Sequence, residues 1–147
     1  MRLNPVREDR SIFSYLFLTF ITCGIYGIWF LHQWIKDINR MCEDDGRHTE
    51  GIVLYCLLSL VTCGIYSFFW WFKVGERLYR NSIREGVHSD ISGMKLVLCF
   101  LLGAVTCSFC SWYAIHLAMK ATNELATAYN QKYVYNMAVI DANSGEN

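Results

Sequence analysis

Thr22-Cys23-Gly24-Ile25-Tyr26 stands in the middle of an uncharged apolar run from Ser11 to Ile35, and the same five residues return as Thr62-Cys63-Gly64-Ile65-Tyr66 inside a second run, Gly51 to Phe72. A third run, Leu96 to Met119, carries a degraded copy, Thr106-Cys107-Ser108-Phe109-Cys110. Motif and apolar run recur together, so one helical unit used three times is the expected architecture. Laying Thr22 on Thr62 and on Thr106 brings further positions into register: Gly27, Ser67 and Ser111 are small, Trp29, Phe69 and Tyr113 are aromatic, and Lys36, Glu76 and Lys120 are charged. Asn39 and Asn123 also agree, with Tyr79 between them.

The composition points to lipid as the solvent of these runs. Of the 147 residues, 54% are hydrophobic and 16% aromatic, and the one proline, Pro5, lies outside every run. That is too apolar for an ordinary soluble domain of this size. The expected fold is therefore an all-α membrane protein, a single domain over residues 1–147 with units near 10–42, 50–80 and 94–126. Thirteen basic residues balance thirteen acidic ones, and no cationic stripe forms, so nucleic acid is excluded as a partner. The lead-in from Met1 to Arg10 is charged and is followed by no small-residue cleavage site, which argues against a cleaved signal peptide.

Two geometries fit each run. As one helix, the 25 residues from Ser11 to Ile35 would measure about 37 Å, enough to cross a hydrocarbon core of about 30 Å. Gly24 at the centre weakens such a helix. Each arm alone, such as Ser11 to Ile21, reaches only about half a bilayer, so the run can also enter, turn at the motif and leave on the same side as a re-entrant hairpin. Kinked spans would place eight Lys/Arg on the side of the N-terminus against five on the other, putting the N-terminus in the cytoplasm; hairpins would put all thirteen on one side. Past each run the pattern turns amphipathic, as in Lys36-Asp37-Ile38-Asn39-Arg40-Met41, and an interfacial helix is expected there, ending before Gly46 in the first unit.

Within the motif, Thr22, Thr62 and Thr106 have hydroxyls suited to bond a carbonyl of the preceding turn or to cap the next half-helix, and Tyr26 and Tyr66 can offer hydroxyls to freed backbone groups. Gly24 and Gly27 either line one helical face for close helix contact or serve the break itself through positive φ.

Arg10-Ser11 before an eleven-residue apolar arm, then Thr-Cys-Gly-Ile-Tyr, an aromatic arm and Lys36-Asp37-Ile38-Asn39, resembles a bacterial family of small membrane proteins of unknown function whose members carry Thr-x-Gly-Ile-Tyr followed by aromatic residues. The resemblance covers roughly residues 10 to 125 and weakens in the third unit, where Ser108-Phe109-Cys110 replaces Gly-Ile-Tyr. It implies a location in the bacterial cytoplasmic membrane and brings no catalytic residues.

Nothing in the residues assembles a reaction centre. No nucleotide, nucleophile-elbow or zinc-protease fingerprint occurs. Cys107-x-x-Cys110 has redox spacing, but it lies in an apolar run, and thiols there behave as small hydrophobes. His32 and His116 both fall ten residues after the repeat Thr and form the one candidate polar site, close to where the helices meet the headgroups. The expectation is a non-enzymatic membrane component with no metal and no cofactor. It organises the bilayer, itself as a homo-oligomer, or a membrane-protein partner; the alternative is an oligomeric channel or transporter subunit.

Overall fold

The computed structural model describes residues 5–106 and 108–144. Among these every regular element is helical: α1 (Ile12–Ile21), α2 (Ile25–Met41), a 3-10 turn (Glu43–Asp45), α3 (Ile52–Val61), α4 (Ile65–Arg84), α5 (Gly93–Gly103) and α6 (Phe109–Tyr129). A π-helical segment, Asn130–Tyr135, carries α6 into α7 (Asn136–Ser144).

Each apolar run folds as an antiparallel helical hairpin. Tyr15 of α1 stacks on Phe30 of α2 with ring centroids 5.0 Å apart, and Tyr55 of α3 stacks on Trp70 of α4 at 4.7 Å. Nearer the turn, Ser59 and Ser67 hydroxyls are 3.0 Å apart. In the third hairpin Gly103 sits directly against Ser111, where any side chain would collide. The kinked-span geometry is thus not the one adopted. Among the described residues no helix is long and apolar enough to cross a membrane.

The second arms run on without a break well beyond the apolar runs, so the amphipathic helix expected past each run is present as a continuation of the same helix, ending in the first unit at Met41, before Gly46. Their amphipathic continuations pack on each other. Phe30, Trp34, Ile35, Ile38 and Met41 of α2 and Cys42 just after it are buried, and so are the residues at the same repeat positions: Trp70, Val74, Gly75, Leu78, Asn81 and Ser82 of α4, and Ala114, Ala118, Met119, Thr122, Leu125 and Ala126 of α6. A stripe recurring every three to four residues is what a helix buries in a bundle. An aromatic chain ties the three hairpins at this level, with centroid separations of 5.9 Å for Trp34–Trp71 and 5.1 Å for Trp71–Phe100. α4 and α5 come into close contact at Gly75 and Gly93, where a Cβ on Gly75 would lie 3.0 Å from the Gly93 Cα.

Candidate functional site: three apolar hairpins on a polar base

The hairpin turn is written by the motif. Thr22 ends α1, and the next two residues are left-handed, Cys23 at φ 50° and Gly24 at φ 92°. The Gly24 amide donates to Thr19 O at 2.8 Å and the Cys23 amide to Phe20 O at 3.2 Å, the two bonds of a Schellman cap. The Thr22 hydroxyl then serves both helices, donating to Leu18 O at 2.7 Å and accepting from the Tyr26 amide at 3.0 Å. Thr62 repeats both bonds, to Leu58 O at 2.7 Å and from the Tyr66 amide at 2.9 Å. Cys63 and Gly64 repeat the left-handed pair at φ 50° and 89°. In the third copy Ser108 takes the Gly position at φ 70°, its amide bonding Gly103 O at 2.9 Å, and among the described residues the Thr106 hydroxyl makes only the bond to its preceding turn, Leu102 O, at 3.0 Å. Cys107 lies outside the described residues, and with it the Cys107-x-x-Cys110 pair.

One expectation for the motif changes and one open choice is resolved. Tyr26 contributes its backbone amide to the cap, while its ring packs on Trp29 and Phe30 at 5.6 and 6.0 Å. Gly24 and Gly27 do not share a contact face: Gly24 is the turn, and Gly27 makes room for Thr19 of its own hairpin, 3.1 Å from where its Cβ would be. Ile25 and Ile65, the fourth motif residues, open the second arms and are largely exposed.

The hairpins bury little of themselves. Phe13, Phe17, Phe20 and Ile28 on the first, Val53, Leu57, Leu60 and Phe69 on the second, and Leu98, Leu101, Val105 and Phe109 on the third are each more than half exposed. No charged residue occurs between Ser11 and Ile35, Gly51 and Phe72, or Leu96 and Met119.

Charge and hydrogen bonding collect at the opposite end. The Asn39 amide group grips the backbone of Thr49, which leads into the second hairpin, donating to Thr49 O at 3.0 Å and accepting from its N–H at 2.7 Å. Asn123, at the equivalent repeat position, grips Arg10, which leads into the first hairpin, donating to Arg10 O at 2.9 Å and accepting from its N–H at 3.1 Å. The Arg10 guanidinium in turn pairs with Asp37. Burial lowers the Arg10 pKa, and Asp37 offsets part of that fall.

Arg77 forms the hub of the base, only 5% exposed. Its guanidinium donates to both Asp45 carboxylate oxygens at 2.7 and 3.1 Å, to the Thr49 hydroxyl at 2.8 Å, to Cys42 O at 3.1 Å and to Arg47 O at 2.6 Å, fastening the 42–49 loop to α4. Burial pulls the Asp45 carboxyl upward, but hydrogen bonds from Arg77, the Arg47 backbone and Asn81 outweigh it and hold the group below the usual range. Burial pushes the Cys42 thiol up to about 12, against the opposing pull of Arg77, so it is a protonated core residue. Sequence reasoning missed Arg77. One lysine or arginine among several in an amphipathic helix carries no mark of burial.

His32 and His116 are not brought into a site. Both lie on exposed faces, of α2 and α6, and neither imidazole forms a hydrogen bond or ion pair with another described residue. Among the described residues no group of three or more His, Cys, Asp or Glu is placed to hold a metal ion.

The chain belongs to a family described as a domain of unknown function, DUF4234, which matches residues 10–80 and again residues 50–124. Each match takes in two successive hairpins, and the two overlap on the second. No curated protein and no solved structure matches the chain.

Proposed function

We propose that this member of the DUF4234 family is a non-enzymatic membrane-organising protein that inserts its three hairpins into one leaflet of the bacterial cytoplasmic membrane and keeps its charged base in the cytoplasm. One observation carries the reading: three hairpins without a charged residue expose large apolar side chains around their sides, while the polar contacts Arg10–Asp37, Arg10–Asn123 and Arg77–Asp45 draw their open ends together. Arms of ten or eleven residues measure about 16 Å, half of a hydrocarbon core of about 30 Å. Each Phe or Leu moved from water into lipid contributes about 1.5–3 kcal/mol. The capped turns suit that setting, because a backbone bend at membrane depth must satisfy its own polar groups. Wedges confined to one leaflet expand it relative to the other and favour curvature.

The test uses single cysteines in a chain whose other cysteines are replaced. Probes on Cys23 and Cys63 are expected to be quenched by mid-leaflet nitroxide lipids, while probes on Asp44→Cys and His88→Cys respond only to a water-soluble quencher on one common side. Vesicles carrying the protein should narrow into tubules. Aqueous quenching of the Cys23 and Cys63 probes, or labelling of positions 44 and 88 from opposite sides, would overturn the reading.

A further inference from the structure

Beside the Arg77 hub, a cleft of about 430 Å³ lies between the 47–50 loop and the face of α4 that carries Phe72, Lys73, Glu76 and Arg80. Arg47, His48, Lys73 and Arg80 line it with exposed side chains, and Arg77 closes its back. Glu50 and Glu76 also line it, and both are already engaged, by Lys73 at 3.2 Å and by Arg80 at 3.0 Å. Those are exposed pairs, each contributing only about 0–1 kcal/mol, so an arriving dianion can draw both cations away. The Arg47 and Arg80 side chains also line the adjoining cleft of about 310 Å³, together with Arg84, so they stand at the wall the two clefts share.

The third unit supplies a control within the chain. Its groove between loop and second arm is lined by His88, Ser89, Asp90, Leu117, Lys120, Ala121 and Glu124 and holds about 120 Å³. There Ala121 stands at the repeat position of Arg77 and Glu124 at that of Arg80. The cationic character belongs to the second unit and is not a by-product of the repeat.

From this placement we infer that the cleft binds the phosphate group of an anionic membrane amphiphile, with Arg47 and Arg80 as its principal donors and Lys73 as a supporting charge. Guanidinium groups match phosphate bidentately. The lipid source follows from the cleft's position, and that step rests on the membrane reading above. Glu50 and Lys73 are the first charges beyond the apolar arms of α3 and α4, so the cleft opens at headgroup level. Phe72 on its lip continues on one helical face through Phe69 to Ile65, all exposed, giving an acyl chain a track toward the turn.

The full chain in nonionic detergent would be titrated calorimetrically with short-chain phosphatidate, with phosphatidylcholine of the same chain length and with inorganic phosphate. Phosphatidate should bind about tenfold tighter than the choline ester, and an Arg47→Gln/Arg80→Gln variant should lose about that factor. Both residues are exposed, so the variant should keep its helical circular dichroism and still float with neutral vesicles. Equal binding by the variant would overturn the assignment of the cleft. Inorganic phosphate binding as tightly as phosphatidate would overturn the lipid source and leave an anion site. Phosphatidate binding without vesicle flotation would retain the cleft and remove the membrane reading.

Discussion

A single hydroxyl at each turn joins two helices, because the Thr62 oxygen closes the last turn of one arm and opens the first turn of the next. Thr62→Val keeps the shape and leaves the Tyr66 amide without its partner. In these apolar surroundings the expected cost is about 1–3 kcal/mol. Thr62→Ser should restore most of it, read as the midpoint of denaturant unfolding. Asp45 gives a second prediction at this scale. Its folded-state pKa is lowered, so its contribution is fully present above about pH 4, the unfolded value, and is lost as pH falls through the folded one. Asp45→Asn should flatten the acid limb of the stability curve and leave its slope near neutrality unchanged. Each of the threonine's two bonds was legible in the sequence as an alternative, because a Thr hydroxyl in an apolar run has few other partners; that one hydroxyl makes both was not. The clamps of Asn39 and Asn123 were visible only as a matching pair of letters, since what an amide grips depends on which strand of chain is folded beside it.

At the level of the element, each turn joins two antiparallel arms whose sides stay apolar, and the second and third hairpins meet where side chains vanish. Gly75 and Gly93 let α4 and α5 touch backbone to backbone, and a methyl group on Gly93 would collide with the carbonyl of Phe72. Gly93→Ala should therefore destabilise the protein by about 1–3 kcal/mol, the usual cost of overpacking, while an alanine at the open Gly51 should not. Thermal unfolding of the two variants side by side checks this. The helix break at the motif was readable from Gly24 and Gly64, but the direction of the arm that follows was not. Charge counting is satisfied by spans and by hairpins alike, and the deciding feature is the left-handed conformation of Cys23 and Cys63, which no preference of cysteine announces. The supposed interfacial helices show the same limit. Periodicity says that one face of Lys36 to Met41 is apolar, not whether lipid or another helix covers it.

For the whole molecule, the buried stripes of α2, α4 and α6 coincide position by position, so three sequence repeats make one bundle with small residues of the third compensating large ones of the first two, as Ala114 does for Phe30 and Trp70. Two clamps hold the ring of units: Asn39 joins the first to the second, and Asn123 joins the third back to the first. Asn123→Ala should loosen Arg10 and the first hairpin together, while Asn130 still holds the Val6 backbone through two bonds of 2.8 Å. Amide exchange should rise over residues 10–21 and stay low over α4, whose contacts do not depend on Arg10. That closure has a consequence for how the protein is made. Asn123 lies more than a hundred residues downstream of the Arg10 it grips, so the start of the first hairpin to leave the ribosome is the last piece to be fastened to the bundle, and until α6 is synthesised its greasy flank toward the third unit stands open for a membrane or a chaperone to cover.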